Sequence, residues 1–203
     1  HKQIPMQAGM AGGSADAAAV LVALNHLLQA NLTTEELCQI GGTIGADVPF
    51  CILGGAAIAQ GIGDQLTPIS PMPDCVLVIA KPPVGVSTSM AYARLDNSNL
   101  VCRPDHQTMI KAMEAGDLAT VGSLVQNAFE QALALPEVAA IQQVFQQHAA
   151  LGSQMTGSGS AVYGIFPDTD SATGCMEALR PLCKEVFLCK PTAAGPQLIS
   201  IEK

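Results

Sequence analysis

Apolar positions along the chain first follow a helical rhythm and later fall into short strand-like runs. After a Gly/Ala-rich stretch over residues 4–13, Val20, Leu21, Leu24, Leu27 and Leu28 recur at helical spacing and predict a helix over 14–29. A second helix has a clear start, because Thr33 is followed three residues later by Glu36, the spacing of a capping box. Its end is predicted near Gly41-Gly42. Gly45-Ala46-Asp47-Val48-Pro49 reads as a tight turn, and 50–53 and 56–60 as short strands. Pro68, Pro71 and Pro73 then mark a domain boundary. Beyond it, 75–80 reads as a buried strand ended by Lys81-Pro82-Pro83, and 87–95 as a short helix capped by Ser87. Helices are predicted over 105–114, 117–133 and 136–149. Residues 154–166 read as strand, glycine loop, strand, and a helix over 169–181 with strands over 185–189 and 197–201 completes the series. There is no internal repeat and no low-complexity tract.

Composition narrows the class. Hydrophobic residues make up 49% and charged residues 13% of the 203, the balance of a core-forming chain rather than a disordered one. That length suits one large domain or two small ones. Apolar runs are broken before they reach the length a bilayer requires, so no membrane role is expected. Seven scattered cysteines with no C-x-x-C suit a reduced, cytoplasmic protein. A net charge of −8 argues against a nucleic-acid partner. The distribution of charge says more than its total. Between Lys2 and Lys81 there is no Lys or Arg, while Asp16, Glu35, Glu36, Asp47, Asp64 and Asp74 all lie there. Phosphate bound in that stretch would rely on backbone N–H groups, a helix dipole and a metal ion, or on a cation from elsewhere. The opening His1-Lys2-Gln3-Ile4-Pro5 lacks an initiator Met and reads as mid-protein.

Three pieces are candidates for chemistry. The first is Pro5-Met6-Gln7-Ala8-Gly9-Met10-Ala11-Gly12-Gly13-Ser14-Ala15-Asp16-Ala17-Ala18, small residues just before a long amphipathic helix. Such residues let the backbone approach a bulky anion, and a helix start offers free N–H groups and a positive dipole end. Ser14 could cap the helix or reach a metal ion; a tight loop packed on a neighbour is the plainer alternative. Neither a Walker A loop nor G-x-G-x-x-G occurs in the chain. The second piece is Gly45-Ala46-Asp47-Val48-Pro49-Phe50, where Asp47 could take a proton from an attacking hydroxyl or could simply cap a turn. The third is Thr156-Gly157-Ser158-Gly159-Ser160, a loop able to bring N–H groups to an anion or to serve as an ordinary hairpin turn.

In order and rough spacing, the three pieces resemble the GHMP kinase superfamily of galactokinase, homoserine kinase, mevalonate kinase and phosphomevalonate kinase. Details resemble its diphosphocytidyl-methylerythritol kinase branch: Ile4-Pro5 through Ala18, Ala23-Leu24-Asn25, the Gly45–Phe50 piece and Gly61-Ile62-Gly63-Asp64. Val86-Ser87-Thr88 with Ala91-Tyr92, and Asn127-Ala128-Phe129-Glu130, also match it, so the resemblance runs along essentially the whole chain. The family usually carries Gly-Leu-Gly-Gly-Gly-Ser-Ser-Asp where this chain has Gly9-Met10-Ala11-Gly12-Gly13-Ser14-Ala15-Asp16, and Ala11 is small enough for that loop. The family's first motif, with its hydroxyl-side lysine, and its cytosine-reading histidine have no counterpart here.

The resemblance implies a two-lobed α+β fold with the N-terminal part of the ATP lobe missing. Residues 1–70 would be the rest of that lobe and 71–203 the substrate lobe. It implies an enzyme that moves the γ-phosphoryl of ATP, with Mg²⁺, to the 2-hydroxyl of a cytidine diphosphate methylerythritol in non-mevalonate isoprenoid synthesis. Ala8, Gly9, Met10, Ala11, Gly12, Gly13, Ser14, Ala15 and Asp16 would cradle the ATP phosphates, with Ser14 nearest them and within reach of Mg²⁺. Asp47 would be the general base, and Thr156, Gly157, Ser158 and Gly159 would support the reacting end. Tyr92 would stack on the cytosine or serve as a plain packing aromatic. His26 is taken as structural. The chain by itself is expected to be inactive and to pair with another chain, as in a homodimer, or to aggregate. Another GHMP kinase such as homoserine kinase, and an inactive fragment acting as a binding module, are the alternatives.

Overall fold

The computed structural model describes residues 3–99 and 104–199. They divide into two units: Ala11–Pro71 with the segment from Thr192 onward, and Gln3–Met10 with Met72–Pro191. This differs from one cut after residue 70, and local contacts give the reason. Ser160 and Ala161 donate their N–H groups to the carbonyls of Gln7 and Ala8, which ties the start of the chain to the second unit. Gly195 lies so close to the Ile52 carbonyl that a Cβ would overlap it, which ties the end of the chain to the first.

In the first unit, α1 (Gly12–Leu27), α2 (Thr34–Ile44) and α3 (Val48–Leu53) close over Ala18, Leu37, Val48 and Ile52, and a hairpin follows. The capping box at Thr33 is formed: its N–H donates to Glu36 Oε2 at 2.8 Å and its Oγ1 accepts from Glu36 N at 3.2 Å. The helix does not stop at Gly41-Gly42. It continues to Ile44, because Gly41 is a packing position where a Cβ would sit 2.8 Å from Val48 Cγ1. Residues 50–53 are not a strand but the body of α3. Pro49 suits a first helical turn, where its missing N–H costs nothing, and Val48 and Ile52 share one buried face. Asn25 holds the turn between α1 and α2 by exchanging two hydrogen bonds with Leu32. Strand β1 (Ala57–Gln60) pairs antiparallel with β2 (Gln65–Pro68) around the Gly61–Asp64 turn.

The second unit is built on an antiparallel sheet. Strand β3 (Val76–Lys81) is followed by α4 (Thr88–Asp96), α5 (His106–Glu114), α6 (Leu118–Leu124), α7 (Ala128–Leu133) and α8 (Pro136–Gln147). Strands β4 (Gly152–Met155) and β5 (Val162–Phe166), helix α9 (Thr169–Leu179) and β6 (Glu185–Cys189) complete it, in the sheet order β4-β5-β3-β6. Val76, Val78 and Ala80 alternate into a core shared with Ile141, Phe145, Phe166 and Leu179. The helix predicted over 117–133 is two helices. The chain turns extended at Val125, and the Asn127 side chain starts α7 by accepting from the N–H groups of Phe129 and Glu130. No strand covers 197–199, and residues 200 and 201 of that predicted strand lie outside the described residues.

Candidate active site

The glycine-rich segment delivers a bare helix start. Helix α1 begins at Gly12, two residues before the predicted Ser14, with Ala11 as its N-cap and no side-chain capping bond. Ser14 lies inside the first turn and so does not cap; its hydroxyl is left for other partners. The leading N–H groups of a helix have no carbonyl to bond, and α1 is long enough to align its peptide dipoles behind them. Among the described residues, outside the chain neighbours and the helix's own backbone, no atom lies within 4 Å of where a Cβ on Gly13 would stand, so this side of the first turn is uncrowded. Ala11 holds φ 47° and ψ 30°, a left-handed conformation that is costly for a residue with a Cβ. Size alone was therefore the wrong criterion for Ala at this position. Ala15 and Asp16 continue the first turns of the helix.

Asp47 occupies the N-cap position of α3 but makes no capping hydrogen bond, and its side chain is exposed. The turn-capping alternative for this carboxylate is thus not realised. Its neighbour Val48 lies in the same buried cluster as Ala18, one turn along α1 from Ser14. Ser14 and Asp47 therefore lead off one core. Their charge surroundings are simple: Asp47 is close enough to Cys51 to raise that thiol's pKa, after burial, which acts more strongly.

In the second unit, Ala8 and Gly9 meet the loop that joins β4 to β5. Thr156 Oγ1 donates to the Gly9 carbonyl at 3.1 Å. The two backbones interlock at glycines of positive φ, Gly9 at 71° and Gly157 at 50°: a Cβ on Gly9 would overlap the Thr156 carbonyl, and one on Gly157 would lie 2.6 Å from the Gly9 oxygen. Several side chains hold the loop. Thr88, the first residue of α4, stands 3.3 Å from the Ser158 hydroxyl. Ser160 is buried and donates to the Val84 carbonyl, which also accepts from the buried Lys81 ammonium at 3.2 Å; Lys81 gives a second bond to the Pro82 carbonyl. Asn127 donates to the carbonyls of Met155 and Gly157 at 2.6 and 2.8 Å. Glu130 accepts from Met155 N at 2.6 Å and from Gln142 at 2.9 Å. Burial, helped by the Glu130 charge, pushes the Tyr163 phenol up to about 12. Tyr92 packs edge-on against Phe129, centroids 4.9 Å apart, and keeps half its surface exposed.

The interlock thus gathers Ala8, Gly9, Thr156, Gly157, Ser158 and Gly159, while Ser14 and Asp47 lie in the first unit, each beside a helix of its core. The boundary between units falls between Met10 and Ala11, inside the glycine-rich segment. Ser160 and Thr88 were quoted within motifs and Lys81 as the end of a strand, but no bracing role for any of the three was expected from sequence. Asn127 and Glu130 carried a legible signal, an Asn followed three residues on by Glu. Among the described residues, no group of three His, Cys, Asp or Glu side chains stands together to hold a metal ion, and no helix is long and apolar enough to cross a membrane.

Residues 1–55 match the model of the GHMP kinases N terminal domain and residues 109–184 that of the GHMP kinases C terminal domain. The chain is 43% identical over 182 residues to the 4-diphosphocytidyl-2-C-methyl-D-erythritol kinase of Lachnospira eligens, covering 89% of this chain and 63% of that one. It is 42% identical over 200 residues to the enzyme of the same name from Alkaliphilus oremlandii, covering 97% and 68%. The chain belongs to this GHMP kinase family. A crystal structure of a 4-(cytidine 5'-diphospho)-2C-methyl-D-erythritol kinase superposes with a TM-score of 0.79 at 31% identity, over 94% of this chain and 68% of that one. A homoserine kinase from Cytophaga hutchinsonii superposes as well, TM-score 0.78, but at 17% identity it shares the fold alone. The α+β architecture is thus the GHMP kinase fold, and this member spans about two thirds of the length of the relatives it matches.

Proposed function

We propose that the protein is an enzyme for ATP-dependent phosphorylation of the 2-hydroxyl of 4-diphosphocytidyl-2-C-methyl-D-erythritol, a step in isoprenoid precursor synthesis. The observation that carries this reading is its identity of 42–43% to kinases of that name along 89–97% of its length. The chemistry of the separate pieces supports it. Residues 8–16 cradle the ATP phosphates, with the uncapped start of α1 supplying N–H donors and dipole. Mg²⁺ supplies charge neutralisation in a stretch without Lys or Arg, and the Ser14 hydroxyl would help hold it. Asp47, exposed and not engaged in capping, takes the proton as the tertiary hydroxyl attacks phosphorus. Thr156 to Gly159 support the reacting end, and the exposed half of Tyr92 offers a ring to the cytosine. Such transfers depend mainly on positioning and on electrostatic stabilisation. In this reading residues 1–70 serve the nucleotide and 71–203 the acceptor, in the cytoplasm, with a second copy as the partner.

The test is a phosphoryl-transfer assay, on the purified chain and on one as long as the matched relatives, with Mg-ATP and either the cytidine compound or homoserine as acceptor. Transfer to the cytidine compound alone is expected of the longer chain, and no transfer from these 203 residues by themselves. Transfer by the longer chain to homoserine alone would overturn the assignment, and its binding of an ATP analogue with transfer to neither would favour a binding module.

A further inference from the structure

We propose that Asn127 is a positioning residue for the 156–159 loop, aiming the Ser158 N–H by holding the carbonyls on either side of Thr156. The inference rests on the phosphoryl-transfer reading for its use, but not for its geometry. All the hydrogen-bonding capacity of the Asn127 side-chain amide is engaged. Its Oδ1 accepts from Phe129 N at 2.8 Å and Glu130 N at 3.3 Å, and its Nδ2 donates to Met155 O at 2.6 Å and Gly157 O at 2.8 Å. An amide offers two donors and two acceptor positions, so only one orientation of the group satisfies all four contacts. One side chain therefore joins the start of α7 to a loop about 30 residues further along.

The consequence for the loop follows from peptide planarity. In a trans peptide the carbonyl and the next N–H point in opposite directions. With the Gly157 carbonyl pinned on Asn127, the Ser158 N–H faces away from α7. Among the described residues that N–H has no hydrogen-bond partner, whereas Thr156 N is bonded to Ala161 O at 2.8 Å and Gly159 N to Thr156 O at 2.9 Å. The remaining contacts brace the same arrangement. Glu130 takes Met155 N, and Thr88 meets the Ser158 hydroxyl. A donor fixed before a phosphoryl oxygen arrives need not reorganise during transfer, which is what makes preorganised donors effective.

Capping and aiming use different atoms of Asn127, so they can be separated. Asn127→Asp and Asn127→Ser both keep an oxygen that can cap α7 and both lose the donors to Met155 and Gly157; only the first adds charge. The measurement is backbone amide NMR on the 203-residue chain. In both variants the α7 amides should stay in place, the Ser158 amide should move, and order parameters at 157–159 should fall from the rigid level near about 0.85 to below about 0.6. Unchanged signals at 157–159 in either variant would overturn the proposal, since a response to Asp alone would trace to its charge. So would loss of the α7 signals in both, which would make Asn127 only a helix cap. A kinase assay run in parallel on a chain as long as the matched relatives keeps the two readings apart: a wild type that transfers no phosphate while the variants show the loop signature fails as a kinase but not as a positioned loop.

Discussion

At the scale of single residues, the first turn of α1 sets a conflict that mutation can expose. Ala11 is held in the left-handed region, where its Cβ is crowded by about 1–2 kcal/mol; glycine would relieve this but gain freedom in the unfolded chain. Ala11→Gly should therefore stabilise the first unit by about 1 kcal/mol, read as a higher urea midpoint at unchanged slope. An equal or lower midpoint would show that the conformation carries no strain. Asp47 gives a different kind of test. Asp47→Asn keeps the shape of an exposed N-cap residue that makes no capping bond, so stability should hardly move. If Asp47 is the base, turnover by the longer chain in the transfer assay should fall by about two to four orders of magnitude, with binding of the cytidine compound little changed. Near-normal turnover would remove it from the mechanism.

At the scale of elements, helix starts dominate what can be measured. Asp105, Asp117 and Asp168 cap α5, α6 and α9, and each carboxyl is held below its ordinary range by hydrogen bonds. The Thr108 and Thr120 hydroxyls act first on Asp105 and Asp117, and the Ser171 N–H first on Asp168. A depressed folded-state pKa stabilises above the unfolded carboxyl range near about 4 and loses that stabilisation as pH falls through the lower folded values. The urea midpoint should therefore drop as pH is lowered from about 5 to about 2, and Asn at all three caps should flatten that drop while preserving the helices. Identical acid slopes would contradict it. The same local chemistry decided what could be read in advance. The Thr33–Glu36 box, the Ser87 cap and the apolar run of β3 were legible because each is a contiguous signal. Val48 and Ile52 were not legible as a helical pair, because a four-residue window cannot separate a strand from one helical turn. Strand β2 carries a single apolar residue, Leu66, and owes its existence to pairing with β1. In the site, the glycine loops and Asp47 stood out by composition. The bracing by Thr88 and Ser160 did not, because their partners Ser158 and Val84 lie 70 and 76 residues away, and that by Lys81 did not because it acts on the carbonyls of Pro82 and Val84, which composition does not mark.

At the scale of the whole molecule, α1 displays an apolar stripe. Val20, Leu24, Leu27 and Leu28 are 45–73% exposed, and contiguous exposed apolar surface of this kind favours association. Leu24→Lys with Leu27→Lys should leave the urea midpoint nearly unchanged and lower concentration-dependent light scattering; scattering equal to the parent would mean that α1 is not the sticky face. A last consequence follows from the interlock of Gly9 with Thr156, partners 147 residues apart, and it concerns time. On a ribosome adding about 5–20 residues per second, Gly9 waits roughly 7–30 s for its partner to be made. Closing so long a loop repays its entropy only once the sheet that carries Thr156 exists. The interlock should therefore form after the rate-limiting step of folding. Thr156→Val, which removes the hydroxyl, should speed unfolding while leaving the folding rate nearly as it was. Stopped-flow denaturant jumps separate the two limbs, and a slowed folding limb would place this contact in the nucleus. By this account the clasp between Gly9 and Thr156 is the last to close as the protein is born and the first to open as it unfolds.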